Sequence, residues 1–112
     1  MTVEFQIEGQ EFVALNGGPQ FKFNEAISFI VNCENQKEVD HYWEILSEGS
    51  DPKAQQCGWL KDKYGVSWQI VPTILTEMIN DPDKEKTSRL LKSMYPMKKL
   101  DIEILTQAYE GK

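Results

Sequence analysis

Few side chains in this chain could carry chemistry. There is one histidine, His41, and there are two cysteines, Cys33 and Cys57. A metal site wants several nitrogen, sulfur or carboxylate ligands converging on one point. His41 lies in a stretch of helical spacing, about 200° around from Val39 at roughly 100° per residue. It is expected to face solvent, with no catalytic or ligating part. Cys33 and Cys57 are far apart in sequence, form no metal-type pair, and read as small buried apolar residues of a reducing cytoplasm. The carboxylates Glu4, Glu8, Asp81, Asp83 and Glu85 fall on alternating or capping positions, and none pairs into a buried dyad. Gly17-Gly18 is followed by no helix and no phosphate-loop lysine and serine. No glycine-rich turn follows a first strand to hold a dinucleotide or S-adenosylmethionine, and no nucleophile elbow is present.

The aromatic residues are the stronger lead. Trp59, Trp68, Phe21, Phe23 and Tyr64 gather on or beside two short β-forming runs. Some of them are expected to be core. The functional reading makes Phe23, Trp59 and Trp68 walls of an apolar pocket, with Asn16 and Gln69 as its polar handles. Ligand pockets combine apolar walls with a few polar groups in this way. A buried tryptophan also needs a partner for its indole N–H.

These residues must be held by elements that the pattern predicts. Thr2 to Glu8 alternates, with Val3, Phe5 and Ile7 on one side, as a half-buried strand does. Gly9-Gln10 is predicted as a two-residue turn into a return strand, Glu11 to Leu15. Ala26 to Cys33 is nearly all apolar and predicts a central strand covered on both faces. Asn35 to Ser47 predicts a helix with Asn35 capping and Val39, Tyr42, Trp43 and Leu46 buried. Cys57 to Asp62 and Ser67 to Val71 form a second hairpin around Lys63-Tyr64-Gly65, and its tryptophans could share a face. Beyond Pro72 the chain turns helical. Asp81-Pro82 is predicted to start one helix, carrying Leu90, Leu91 and Met94. Asp101 caps a last helix with Ile102, Leu105, Ala108 and Tyr109. The fold class is α+β, with mostly antiparallel pairing.

The bulk properties narrow the partners. A chain of 112 residues with 40% apolar content supports one domain and one modest core. Net charge is −6, which repels polyanions, so neither nucleic acid nor anionic membrane is an expected partner. No signal peptide and no apolar run of membrane-spanning length is evident, and a cytoplasmic location is expected.

Three stretches carry a resemblance: GQEFVALNGGPQFKFNEAISFIVNC (Gly9 to Cys33), DHYWEILSEG (Asp40 to Gly49) and GWLKDKYGVSWQIVP (Gly58 to Pro72). In that order the chain resembles PhnB-like proteins, sometimes labelled 3-demethylubiquinone-9 3-methyltransferase-like. They belong to the glyoxalase/bleomycin-resistance/extradiol-dioxygenase (vicinal oxygen chelate) superfamily. The resemblance implies β-α-β-β-β modules whose curved sheets form an open cup for a small ligand. It divides the single domain, residues 1–112, into three parts. Residues 1–33 are the remainder of a first module and the start of a second, 34–72 complete the second, and 73–112 are C-terminal helices.

The sequence departs from the pattern twice. The usual opening strand-helix-strand of the first module is missing, which leaves strand edges that an intertwined homodimer would satisfy. The superfamily's metal ligands are also missing. Gln69 stands where a carboxylate is expected, and Ala26 and Ala14 fall near the other ligand positions. The expectation is therefore a metal-independent and cofactor-free module binding a small apolar or aromatic molecule. The alternative is an enzyme of the superfamily whose metal or catalytic residues lie in a missing N-terminal segment or in a dimer partner.

Overall fold

The computed structural model describes residues 1–112. It opens on a hairpin of β1 (Thr2–Ile7) and β2 (Gln10–Leu15). The turn residues are Glu8 and Gly9, both at positive φ (50° and 78°). This corrects the expected Gly9-Gln10 turn. A primed turn that twists with its strands needs positive φ at both central positions, and glycine fits the second one here. The register follows from the turn. Phe5 lies opposite Phe12, and their rings stack with centroids 5.5 Å apart.

The second sheet has the order β3-β5-β4, from β3 (Ser28–Cys33), β4 (Trp59–Lys61) and β5 (Ser67–Pro72). The β4–β5 pair is antiparallel and the β3–β5 pair is parallel. Helix α1 (Gln36–Ser47) follows β3 and packs on one face of the sheet. Asn35 caps it as predicted, its side chain accepting from Glu38 N at 2.9 Å. Strand β3, expected at the centre, is an edge strand. The parallel crossover seats β5 in the middle. Phe29 and Ile30 point to opposite faces and stay 42% and 57% exposed, so the continuous apolar run is incompletely covered on both.

Two apolar clusters hold the chain. The first joins sheet to α1 through Cys33, Val39, Trp43, Leu60 and Ile70. Tyr42, expected in that stripe, is exposed. The second is helical: Leu75 and Met78 from α2 (Thr73–Ile79), Leu90 from α3 (Lys84–Met94), Leu105 from α4 (Ile102–Glu110), and Leu100. Leu91, predicted on the apolar side of α3, is exposed.

The helix starts follow local hydrogen bonding. Asp101 caps α4 by accepting from Ile104 N, as predicted. The cap of α3 is Asp83 rather than Asp81, because Asp83 accepts from Glu85 N and Lys86 N. Asp81 is otherwise engaged, accepting from Asp83 N and from the Tyr109 hydroxyl. Those bonds hold the Asp81 carboxyl below its ordinary pKa and push the Tyr109 phenol up. Arg89 closes the far end of α4, donating to Ala108 O and Tyr109 O, each at 2.9 Å.

The seam between the clusters is built from Cys57 and Gly58. Their backbone N–H groups donate to Met97 O and Lys98 O, while Gly58 O accepts from Ile70 N. Gln36 adds a tie from α1, donating to Leu100 O and accepting from Ile102 N. The Cα radius of gyration is 16.3 Å, against about 13 Å for a compact chain of this length. The β1–β2 hairpin accounts for the excess. It packs chiefly on itself, and its aromatic tie to the body runs Phe12–Phe29–Trp68, with ring centroids 6.1 and 5.3 Å apart.

Candidate functional site

Side chains alternate along a strand, so register decides which predicted residues meet. Trp59 pairs with Gln69, and Leu60 pairs with Trp68. Trp59 and Gln69 therefore share one face, and Trp68 lies on the other with Leu60 and Ile70, towards α1. The two tryptophans do not share a face, contrary to expectation. Their near-symmetry about the turn is offset by one residue, and one residue reverses a side chain.

The face away from α1 carries Ser28 and Ile30 from β3, Gln69 from β5, and Trp59 and Lys61 from β4. Trp59 and Gln69 are half-buried there. The Gln69 amide donates to Ser28 Oγ at 2.9 Å. That bond orients the side chain and leaves the Gln69 carbonyl oxygen and the Ser28 hydroxyl proton available. Lys61 pairs with Glu25 at 2.8 Å, tying the 22–27 loop to β4. Hydrogen bonding to Lys61 holds the Glu25 carboxyl below its ordinary pKa.

Trp68 meets its polar need elsewhere. Its indole N–H donates to Asp62 Oδ2 at 3.0 Å. The other oxygen of Asp62 accepts from Tyr64 N and Val66 N and fixes the β4–β5 loop. Phe23 is exposed and lines a groove of about 390 Å³ with Lys22, Asn24, Ile27, Phe29 and Ser67. A second groove of about 240 Å³ runs along Glu25, Ala54, Trp59, Lys61 and Ser67. Asn16 is exposed at the open end of the hairpin, its N–H bonded to Met1 O. Thus Trp59 and Gln69 come together, Phe23 lies across Ser67 from them, and Trp68 and Asn16 lie apart.

Sequence reasoning missed Ser67. It is 1% exposed, and its hydroxyl has no hydrogen-bond partner. Buried hydroxyls are normally paired, so this one stands out. No sequence signal marked it: a serine opening a strand is ordinary, and its burial follows from the pairing with Ser28 and Lys61.

The donor set does not fit a metal. No three His, Cys, Asp or Glu side chains converge. Gln69 is neutral, Ala14 is on the hairpin and Ala26 in a loop, and His41 is exposed on α1 with its ring edge-on to Tyr42. Burial pushes the Cys33 thiol up to about 11, with Glu38 adding to the shift, so it holds no thiolate at neutral pH.

The arrangement is α+β: an open mixed sheet backed by one helix, with Trp59, Gln69 and Ser28 on its other face. The family model for 3-demethylubiquinone-9 3-methyltransferase matches residues 1–71, and the chain belongs to that family, in its PhnB-like form. A solved PhnB protein from Bacillus cereus is 31% identical, with a TM-score of 0.56 over 65% of this chain. The chain spans 64% of that protein's length. The glyoxalase-like α+β fold expected from the sequence is thereby shown. No curated protein sequence matches the chain. Helices α2 to α4 lie beyond the matched segment. The methyl donor implied by the family's description finds no glycine-rich strand-to-helix cradle here, since the Glu8-Gly9 turn leads into β2. No helix is long and apolar enough to cross a membrane.

Proposed function

We propose that this chain is a metal-independent module that binds a small aromatic or apolar molecule on the open face of its β3-β5-β4 sheet. One observation carries the reading: Trp59 and Gln69 meet on that face, with Gln69 already oriented by Ser28. An aromatic wall beside a preset amide suits a flat ligand with one polar group. The test uses 2-naphthol as probe, followed by calorimetry. Gln69→Leu keeps the shape and removes the amide, and is expected to weaken binding ~3–10-fold, the worth of one hydrogen bond. Unchanged affinity in that variant would overturn the role of Gln69. Stoichiometric zinc, iron or manganese in purified protein, with activity lost to a chelator, would overturn the metal-independent reading.

The same reading includes a homodimer. The outer edge of β3 is unpaired. The hairpin exposes Val3, Phe5, Ile7, Val13 and Leu15. Free edges and bare apolar strands favour a second copy that covers them. Sedimentation at micromolar concentration is expected to show a dimer, and a monomer there would contradict it.

A further inference from the structure

We infer that the open face of the β3-β5-β4 sheet selects a neutral flat lactam, a ring amide that presents an N–H beside a C=O. This rests on the binding reading above and adds the chemical class of the ligand.

Register lays out the floor. Gln69 lies between Ile30 on one side and Trp59 on the other, in one row across the three strands. The row spans two strand spacings, roughly 10 Å, with its polar group in the middle. Ile30 is exposed and Trp59 half-buried, so both offer apolar surface to a flat body laid over the row. Ser28 stands two residues before Ile30 on the same face and accepts from the Gln69 amide at 2.9 Å. A carboxamide has one acceptor oxygen and two donor protons, and a hydroxyl both donates and accepts. A single bond between them leaves a donor and an acceptor unused, whichever way the amide is turned. Here these are the Ser28 hydroxyl proton and the Gln69 carbonyl oxygen. Both residues are half-buried, and the Gln69 oxygen is not sealed from solvent as the Ser67 hydroxyl is.

The charge on this face is already spent. Lys61, in the next row, is committed to Glu25 at 2.8 Å. A charged ligand would have to break that pair or go unpartnered, and a neutral one need do neither. A lactam matches the floor group for group. Its N–H donates to Gln69 Oε1, its C=O accepts from Ser28 Oγ–H, and its ring rests on Trp59 and Ile30. The Gln69–Ser28 bond holds the pair in place beforehand, so little side-chain freedom is lost on binding.

The experiment is calorimetry on the full chain with 2-quinolinone and coumarin, two-ring probes of one shape. They differ in a lactam N–H against an ester oxygen, and both are neutral at pH 7. 2-Quinolinone is expected to bind about 5–10-fold tighter, because coumarin leaves the Gln69 oxygen without a donor. Gln69→Leu should erase that difference and keep the affinity for coumarin, which also shows that the face is intact. Ser28→Ala should weaken both probes ~3-fold, since both carry the carbonyl. Equal affinity for the two probes in the wild type would overturn the lactam assignment and leave the binding module standing. A 2-quinolinone advantage that survives Gln69→Leu would overturn it too, because the N–H is then read elsewhere. If 2-quinolinone, coumarin and 2-naphthol all fail to bind, both readings fall.

Discussion

Gly58→Ala is expected to destabilise the chain by about 2–4 kcal/mol, more than any surface change. Two costs add. Gly58 sits at φ 87°, where an L-residue is strained by roughly 1–2 kcal/mol. A Cβ there would also meet Leu100 Cδ1 at 3.0 Å and Ile70 O at 3.2 Å. Ile70 O is fixed by the strand that carries it, whose Ile70 N–H is itself bonded to Gly58 O, so the leucine must give way. Leu100 belongs to the helical cluster and Ile70 to the sheet cluster. The added methyl would thus act on the joint between them and loosen both. Gly9→Ala is the control. Gly9 has φ 78° and nothing within 4 Å of the added carbon, so it should show the strain of roughly 1–2 kcal/mol alone. Urea melts of both variants measure the difference. Equal losses would mean that Leu100 yields freely and that the seam is not tight.

The seam explains why the chain divides unevenly in sequence. Each cluster has five buried residues, small for an independent unit. Backbone bonds from Cys57 and Gly58 to Met97 and Lys98 make them one body. Nothing local to Cys57-Gly58 announces a partner forty residues away, and sequence patterning reads local period rather than distant pairing.

What was legible follows the same line. Helix α1 and its Asn35 cap were readable because their signals lie within four residues. The α3 cap was misplaced by two residues because Asp81 and Asp83 are both good caps. The choice was made by Tyr109, a long-range partner that occupies Asp81. The β3 run was correctly a strand. Its place at the edge was hidden, because continuous apolarity is shared by a central strand and by an edge strand awaiting a neighbour. Of the site, the residue types were legible and the faces were not. Gln69 and Trp59 were picked for chemistry and proved to be cross-strand partners. Trp68 was picked for the same chemistry and lies beneath, where Asp62 engages its N–H. The difference is a matter of register, which the five-residue connection from Asp62 to Val66 sets.

Asp62→Ala is accordingly expected to cost about 2–3 kcal/mol, since one carboxylate holds three donors and charge-assisted bonds are the stronger kind. Oδ1 accepts from Tyr64 N at 2.9 Å and Val66 N at 3.0 Å, and Oδ2 accepts from Trp68 Nε1 at 3.0 Å. Water can re-satisfy Tyr64, which is exposed, more readily than Val66 or Trp68, which are half-buried. Asp62→Asn separates the contributions. Its carbonyl oxygen can keep the two backbone bonds, but its amide would face the indole N–H donor to donor. The loop should hold in Asn and loosen in Ala, while the Trp68 indole proton exchanges faster in both. Proton NMR of the indole resonances reads this directly. The loop also sets the register that pairs Gln69 with Trp59, so Ala should weaken 2-naphthol and Asn should largely spare it. Equal 2-naphthol loss in the two variants would place the effect in the Trp68 bond, and the loop would then be a bystander to binding.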